Sequence, residues 1–541
     1  MKALEVSGYL PILPKRKFIK AKLHFNRAGI ISIEEIENCP DQFILPGLID
    51  AHVHIESSLV LPDAFGFWVS KFGTIACLAD PHEIANVLGL EGIEFMIKNA
   101  RRSKVKFFFG ASSCVPATPF ETSGAKVSSR EIHKLLSSKS CYFLSEMMNF
   151  PGVIHNDPEI LEKLNIARTL GFRIDGHAPL LRGQNLQKYV SSGITSDHEC
   201  ASLEEAREKI ALGMKIQIRN GSAARNFQDL HPLIPEFPNE LMFCTDDCHP
   251  DELVNGHIDN FVRWGLKAGY SIFDLIKIAS VNPVKHYQLP VGLLETGDPA
   301  DFIIVKDLQN FEINETWING EQVFSEMQDP MEENAFPNKF FINEIPAEKI
   351  RVKVESDSYK TILVEDGQLL TGIGEEKANL NSEFLEADPG RDILKLVVLN
   401  RYQLANPQIA FVQGFGLKYG ALASSCAHDS HNIIAVGADD QNILKAIRLV
   451  QENRGGLVAV NGEKTVQIPL PVAGLMSGLS LPEIALTYKN LNEFVKNLGS
   501  TLKSPFMTLS FMALLVIPEL KLGDRGLFDG NKFSFVPLFN Q

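Results

Sequence analysis

The spacing of hydrophobic and polar positions changes along the chain and divides it into stretches. From Phe18 to Phe25 apolar and polar residues alternate, Asn26-Arg27-Ala28-Gly29 turns, and Ile30 to Ile36 alternates again, the period-two pattern of half-buried strands. Everything up to about Cys39 reads this way, and it is too little to bury a core alone. From Phe43 to about Val284, strand-like apolar runs alternate with helical stretches, as where Thr74 to Leu78 gives way to the amphipathic Gly89 to Arg101. Repeated strand-helix units predict a parallel sheet, and this many of them predict a closed barrel.

Beyond His286 short strands and turns return. Gly297-Asp298-Pro299-Ala300-Asp301 leads into the run Phe302 to Val305, which is expected to pair with the N-terminal strands. From about Phe341, strands such as Leu394 to Leu399 and Ile433 to Val436 mix with helices such as Asp440 to Asn453, the pattern of a separate α+β unit. The Met- and Leu-rich segment Phe506 to Ile517 is short for a membrane span and is expected in a core. The expected fold class is α/β. It comprises a TIM-like (β/α)8 barrel over residues 43–286, a small composite β-sandwich domain from 1–42 plus 287–340, and a C-terminal α+β domain over 341–541. No repeat of fixed period and no low-complexity tract interrupts this order.

Composition narrows the functional classes. The 541 residues exceed one ordinary domain of roughly 150 residues. With 45% hydrophobic and 22% charged residues, the chain has the balance of a globular protein with a large core. A net charge of -14 repels phosphate backbones, so a neutral small substrate is expected and a nucleic-acid partner is not. Eight cysteines spread thinly over this length read as reduced thiols, not as a secreted disulfide framework. The start, MKALEVSGYLPILPKRK, lacks a signal-type apolar run, and no window approaches about 18 apolar residues. A cytoplasmic protein with no membrane partner is expected, and an acidic chain of this size suggests a homo-oligomer, with a dimer favoured.

The sharpest chemical signal is PGLIDAHVHIESS, Pro46 to Ser58, where a turn feeds an apolar strand ending in His52 and His54. Side chains two apart on a strand share a face, so both imidazoles can point at one metal ion. Further candidates follow apolar runs at barrel-like intervals: Asp80-Pro81-His82-Glu83, Glu146, His177, His198 and Asp246-Asp247. Residues at the carboxyl ends of successive barrel strands converge on one mouth. Each taken singly has a structural alternative, such as a satisfied core histidine or a carboxylate salt-bridged within the barrel. Cys244 and Cys248, which flank Asp246-Asp247, read as packing residues. His54-Ile55-Glu56 contains the H-x-E of cytidine-type zinc deaminases, but the P-C-x-x-C that class requires is missing downstream. Gly414-Phe415-Gly416 lacks the spacing and context of a nucleotide loop.

Together PGLIDAHVHIESS, DPHEIANV, SEMMNFPGV, GHAP, SDHE, GSAARN, CTDDCHP, GHIDNFVR and GFGLKYGALASSCAHDSHN resemble the bacterial-type adenine deaminase family, within the amidohydrolase superfamily. The resemblance runs from about Pro46 to the end of the chain. It implies a metal-dependent barrel with a two-metal site: His52 and His54 on one ion, His177 and His198 on the other, Asp246 from the last strand, and Glu146 as bridge. Many superfamily members bridge with a carboxylated lysine, but Phe143 to Met148 offers a carboxylate and no lysine. The implied reaction converts adenine to hypoxanthine and ammonia, with Asp246 shuttling the proton and either Glu83 or His82 protonating the ring. Glu56, Ser57, Asp247 and His428 are the expected substrate contacts. Glu56 and Ser57 equally suit a role orienting the metal histidines, and the segment around His428 and His431 equally suits a hydrogen-bonded turn. The implied cofactors are two divalent ions, Mn(II) or Fe(II), while mixed histidine and carboxylate ligation also accepts Zn(II). Asn220, where an acidic residue is expected, the short N-terminal part, and Gly73-Thr74-Ile75-Ala76 in place of a Thr-rich run depart from the family pattern. Two other readings stand beside this one: an amidohydrolase acting on another amine, amide or cyclic amide, and a barrel kept as a non-enzymatic scaffold.

Overall fold

The structure is a computed structural model and describes residues 3–222, 224–323, 336–342 and 344–540. The central element is a ring of eight parallel strands: β1 (Leu48–Val53), β2 (Thr74–Ala79), β3 (Lys106–Ala111), β4 (Phe143–Met147), β5 (Arg173–Gly176), β6 (Ser196–Asp197), β7 (Lys215–Arg219) and β8 (Leu241–Cys244). The first five pair in one sheet and the last three in another. Backbone bonds join the two arcs at both seams. Thr195 N–H donates to the Ile174 carbonyl (2.8 Å), and Asp246 N–H donates to the His52 carbonyl (2.9 Å), next to a parallel bridge between Val53 and Asp246. Strands β1 and β2 are buried along their whole length, as strands covered on both faces must be.

The expected pairing of the two chain regions that flank the barrel is present. Phe302–Val305 lies antiparallel to Phe43–Pro46, which lies parallel to Leu4–Ile12, and together with the remaining short strands they form one seven-stranded sheet. One face packs on Phe25, Ile30, Ile44 and Phe302, and the other delivers Leu45, Ile303 and Val305 to the barrel core. Residues 324–335 of this region lie outside the described residues.

Within the C-terminal part an eight-stranded sheet carries the helix Asp440–Glu452, capped by the Asp439 carboxylate on Asn442 N–H, on one face. The helices Leu481–Asn497 and Pro505–Phe511 join the barrel's own hydrophobic cluster, so barrel and C-terminal sheet share one continuous apolar core. The segment from Phe506 is buried as expected, and it does more than pack. Phe511, Leu514, Val516 and Ile517 roof the cavity at the barrel mouth. No helix among the described residues is long and apolar enough to cross a membrane.

Candidate metal centre

The barrel brings the expected ligands to one mouth. His52 lies in β1 and His54 one residue past its end, Glu146 lies in β4, His177 and His198 follow β5 and β6 directly, and Asp246 lies two residues past β8. All are buried except His177, which is half-buried. The Asp50 carboxylate accepts from the backbone N–H of both His52 (3.3 Å) and Thr245 (3.1 Å), tying the first strand to the last just below the site.

Glu146 divides its two oxygens between two groups. Oε1 lies 3.2 Å from His54 Nε2, 3.8 Å from His52 Nε2 and 3.4 Å from His82 Nδ1. Oε2 lies 2.6 Å from His177 Nδ1 and 3.3 Å from His198 Nε2. Asp246 Oδ1 faces the first group, 3.2 Å from His54 Nε2 and 3.6 Å from His52 Nε2. Burial alone would raise the Glu146 carboxyl, but His177, His198 and His54 outweigh it and hold it well below the usual carboxylate range. Burial likewise opposes ionisation of Asp246, and Arg219 leads the groups that keep it low.

These residues fit a pair of cations. His54 Nδ1 sits 3.1 Å from the Asp80 carbonyl, which places its proton there and turns the Nε2 lone pair toward His52 Nε2, 3.1 Å away, and toward two carboxylate oxygens. Acceptors buried face to face are costly unless a positive charge lies among them. The same field acts on the ring itself: burial disfavours a charged His54, yet Asp246 and Glu146 raise its pKa well above 6.5. His198 buries both ring nitrogens, His52 its Nδ1 and His177 its Nε2 without a hydrogen-bond partner. The ring nitrogens of His52, His54, His177 and His198 that face the two ionised carboxylates form a donor set suited to divalent metal.

Two residues that sequence reasoning missed complete the centre. Arg219, at the end of β7, is buried and makes ion pairs through Nη1 with both Glu199 and Asp246, while Nη2 donates to Glu199 Oε2 (2.9 Å). It thereby holds Asp246 Oδ2 and leaves Oδ1 turned to the histidines. Glu199 also lies 3.4 Å from His198 Nε2. Asp246 has φ +56°, a left-handed conformation rare outside glycine that persists only where surrounding contacts fix it.

Of the remaining expected residues, His82, Glu83, Asp247 and His428 line the metal cavity, and Glu56 and Ser57 line the cavity that adjoins it. His82 Nδ1 is 3.2 Å from Asp80 Oδ2, and its Nε2 is 3.4 Å from Glu83 Oε1. Ser57 donates to Asp247, and Glu56 accepts from Ile84 N–H (3.2 Å) through Oε1 while its buried Oε2 has no hydrogen-bond partner. Burial first, then Glu83, raises the Glu56 carboxyl to about 7. His428 crosses from the C-terminal sheet, its Nδ1 2.5 Å from Glu83 Oε1 and its ring stacked on Phe511 at 5.0 Å. Glu83 and His428 line both the metal cavity and an adjoining, more apolar cavity walled by Leu59, Leu475 and Met507. Cys244 and Cys248 are buried free thiols that pack at the barrel end. In GSAARN, Ala223 lies outside the described residues.

An eight-stranded parallel barrel whose strand ends gather four histidines and two carboxylates defines a protein of the amidohydrolase class, and residues 43–323 match the amidohydrolase family. Residues 368–534 match the adenine deaminase C-terminal domain. The chain is 50% identical to an adenine deaminase of Methanosarcina barkeri over 97% of both chains, and 51% identical to one of Methanosarcina mazei over 97% of both. It is 48% identical to one of Salinibacter ruber over 99% of both. With that identity along its whole length, the chain belongs to the adenine deaminase family.

Proposed function

We propose that this chain hydrolyses adenine to hypoxanthine and ammonia at a two-metal site. The observation that carries the reading is Glu146, one carboxylate set between two groups of histidines in a chain whose full-length relatives are named adenine deaminases. His52, His54 and Asp246 would hold one ion and His177 and His198 the other, with Glu146 touching both. Bound there, two divalent ions supply Lewis acidity and a water of lowered pKa. Mn(II) or Fe(II) is the proposed pair, and Zn(II) suits the same ligands.

The chain's own residues then position the base and move protons. Asp246, steered by Arg219, accepts the proton that water releases as its oxygen adds to C6 of the purine, and passes it to the leaving amine as the C6–N6 bond breaks. Glu83, or His82 beside it, delivers a proton to a ring nitrogen and stabilises the tetrahedral adduct. Burial opposes a charged His82, but Glu83 and Asp80 hold it protonated as the source of that proton, and the pair recovers a proton from the C6 hydroxyl as ammonia leaves. Glu56, Ser57, Asp247 and His428 line the walls and contact the purine edges. Eight free cysteines suit a reducing, cytoplasmic location, and a chain of this size suits a symmetric homodimer.

Ammonia release and the ultraviolet change from adenine to hypoxanthine, followed with Mn(II)-loaded protein, test this reading. His52→Ala and Glu146→Gln are each expected to lower kcat by at least about 100-fold. Full activity in Glu146→Gln would remove the bridge, and no turnover by the metal-loaded wild type would point to a different amidohydrolase substrate.

A further inference from the structure

Glu83, an acidic side chain of the barrel mouth, has both of its oxygens taken by the C-terminal domain. His428 Nδ1 lies 2.5 Å from Oε1, and His431 Nε2 is hydrogen-bonded to Oε2, across a separation of 348 residues in the second case. The His431 tautomer follows from its other nitrogen: Nδ1 accepts from Ala427 N–H (3.3 Å), so it carries no proton and Nε2 is the donor to Glu83. All three side chains are buried. His431 sits at φ +53°, a conformation that a non-glycine residue keeps only where its surroundings hold it.

The elements around the pair fix this arrangement. Ser510 Oγ accepts from His428 N–H (3.2 Å), Tyr402 donates to the Ser430 carbonyl (2.6 Å), and Asn432 donates to the Thr122 carbonyl of the barrel side (2.9 Å). Glu83 itself stands at the junction of the two cavities, the place from which it can meet a ring that fills them. A free glutamate has three rotatable bonds, and a proton-transfer group that must meet a ring nitrogen gains rate from losing that freedom in advance.

We infer that His431, with His428, is a positioning residue of the C-terminal domain that fixes the Glu83 carboxyl for proton transfer to the substrate, so that the barrel's chemistry depends on the docked domain. This rests on the proposed deamination and on Glu83 acting in it. Both histidines border the adjoining cavity, but His428 also lines the metal cavity whereas His431 does not, which makes His431 the cleaner place to test it.

Two amide substitutions separate the idea from a general structural role. In His431→Asn the side chain keeps the left-handed backbone that Asn tolerates, and an acceptor near the Nδ1 position, but it is too short to reach Glu83. In His431→Gln the amide nitrogen still reaches. With Mn(II)-loaded full-length protein, His431→Asn is expected to lose about 10- to 100-fold in kcat, with KM for adenine within about threefold and metal content unchanged. His431→Gln is expected to stay within about threefold of wild type. In a Glu83→Gln background, His431→Asn should add no further loss, because both changes act through one group. Equal losses in the Asn and Gln variants, or losses that multiply with Glu83→Gln, would overturn the positioning role. Full activity in Glu83→Gln alone would overturn the parent assignment of Glu83 instead, and with it the catalytic meaning of the clamp.

Discussion

Arg219 concentrates the energetics of the centre in one side chain. It is buried with Glu199 and Asp246 on one guanidinium, a geometry that repays the desolvation of three charges only while all three remain. Arg219→Met would strand two carboxylates, and we expect it to cost about 3–5 kcal/mol in urea unfolding and to abolish turnover as Asp246 loses its orientation. Adding Glu199→Gln to that variant removes one of the stranded charges and should recover part of the stability without recovering activity; unchanged stability in Arg219→Met would show that the pair adds nothing net. His54, His82, Glu83, Glu146, His177, His198 and Asp246, which face the metal cavity, could be singled out in the sequence because their types and order carry chemistry even in isolation. Arg219 and Glu199 could not, because an arginine ending a strand and a glutamate beside a histidine are ordinary until burial and pairing are known. The partner of Glu83 was out of reach for a different reason, since no local pattern predicts which residue hundreds of positions away will meet it.

At the level of elements, the barrel depends on how the small sheet hands the chain into it. Phe43–Pro46 belongs to the seven-stranded sheet, Leu48–Val53 is β1, and only Gly47 separates them. A Cβ on Gly47 would lie 2.5 Å from Ile75 Cγ2, a buried side chain of β2. Gly47→Ala should therefore overpack this seam by about 1–3 kcal/mol, seen as a lowered urea midpoint, and should disturb His52 and His54 at the far end of the same strand enough to weaken metal retention. Wild-type stability in that variant would mean that the seam is slack. Alternation and length predicted the strands Thr74–Ala79, Leu394–Leu399 and Ile433–Gly437 and the helices Leu90–Ala100 and Asp440–Glu452 to within a residue or two, because each has a strong period and clear ends. Strand β6, at two residues, has no period to read, and its place in the ring comes from its neighbours. The roof over the cavity was also hidden: Phe511, Leu514 and Ile517 have the composition of any core segment, and only their docking shows that they cover a site.

Over the whole molecule, the C-terminal domain and the barrel are coupled through a shared apolar core and a few buried polar contacts, and one of these makes the coupling pH-sensitive. His249, just past β8, lies with Nδ1 2.5 Å from the hydroxyl of Tyr488 on the helix Leu481–Asn497, and its N–H donates to Ser222 Oγ (2.8 Å). Burial first, and the neighbouring His428 second, lower its pKa from 6.5 to about 3. The folded protein therefore keeps this imidazole neutral where the unfolded chain would protonate it. Between about pH 6.5 and 3 the unfolded state binds the extra proton, so stability is fully present above that window and falls as the pH falls through it, by up to about 1.4 kcal/mol per pH unit for this residue. His249→Gln keeps a polar side chain against Tyr488 but has nothing to titrate. Its stability should lie below that of the wild type at pH 7.5, and the gap should narrow steadily at pH 6, 5 and 4.5 when metal-loaded proteins are unfolded in urea. Parallel curves for the two proteins would mean that His249 protonates in the folded state as readily as in the unfolded one, and that its contact with Tyr488 does not exclude the charged ring. A narrowing gap accompanied by loss of activity at the same pH would tie that buried imidazole to the docking of the domain that holds Glu83.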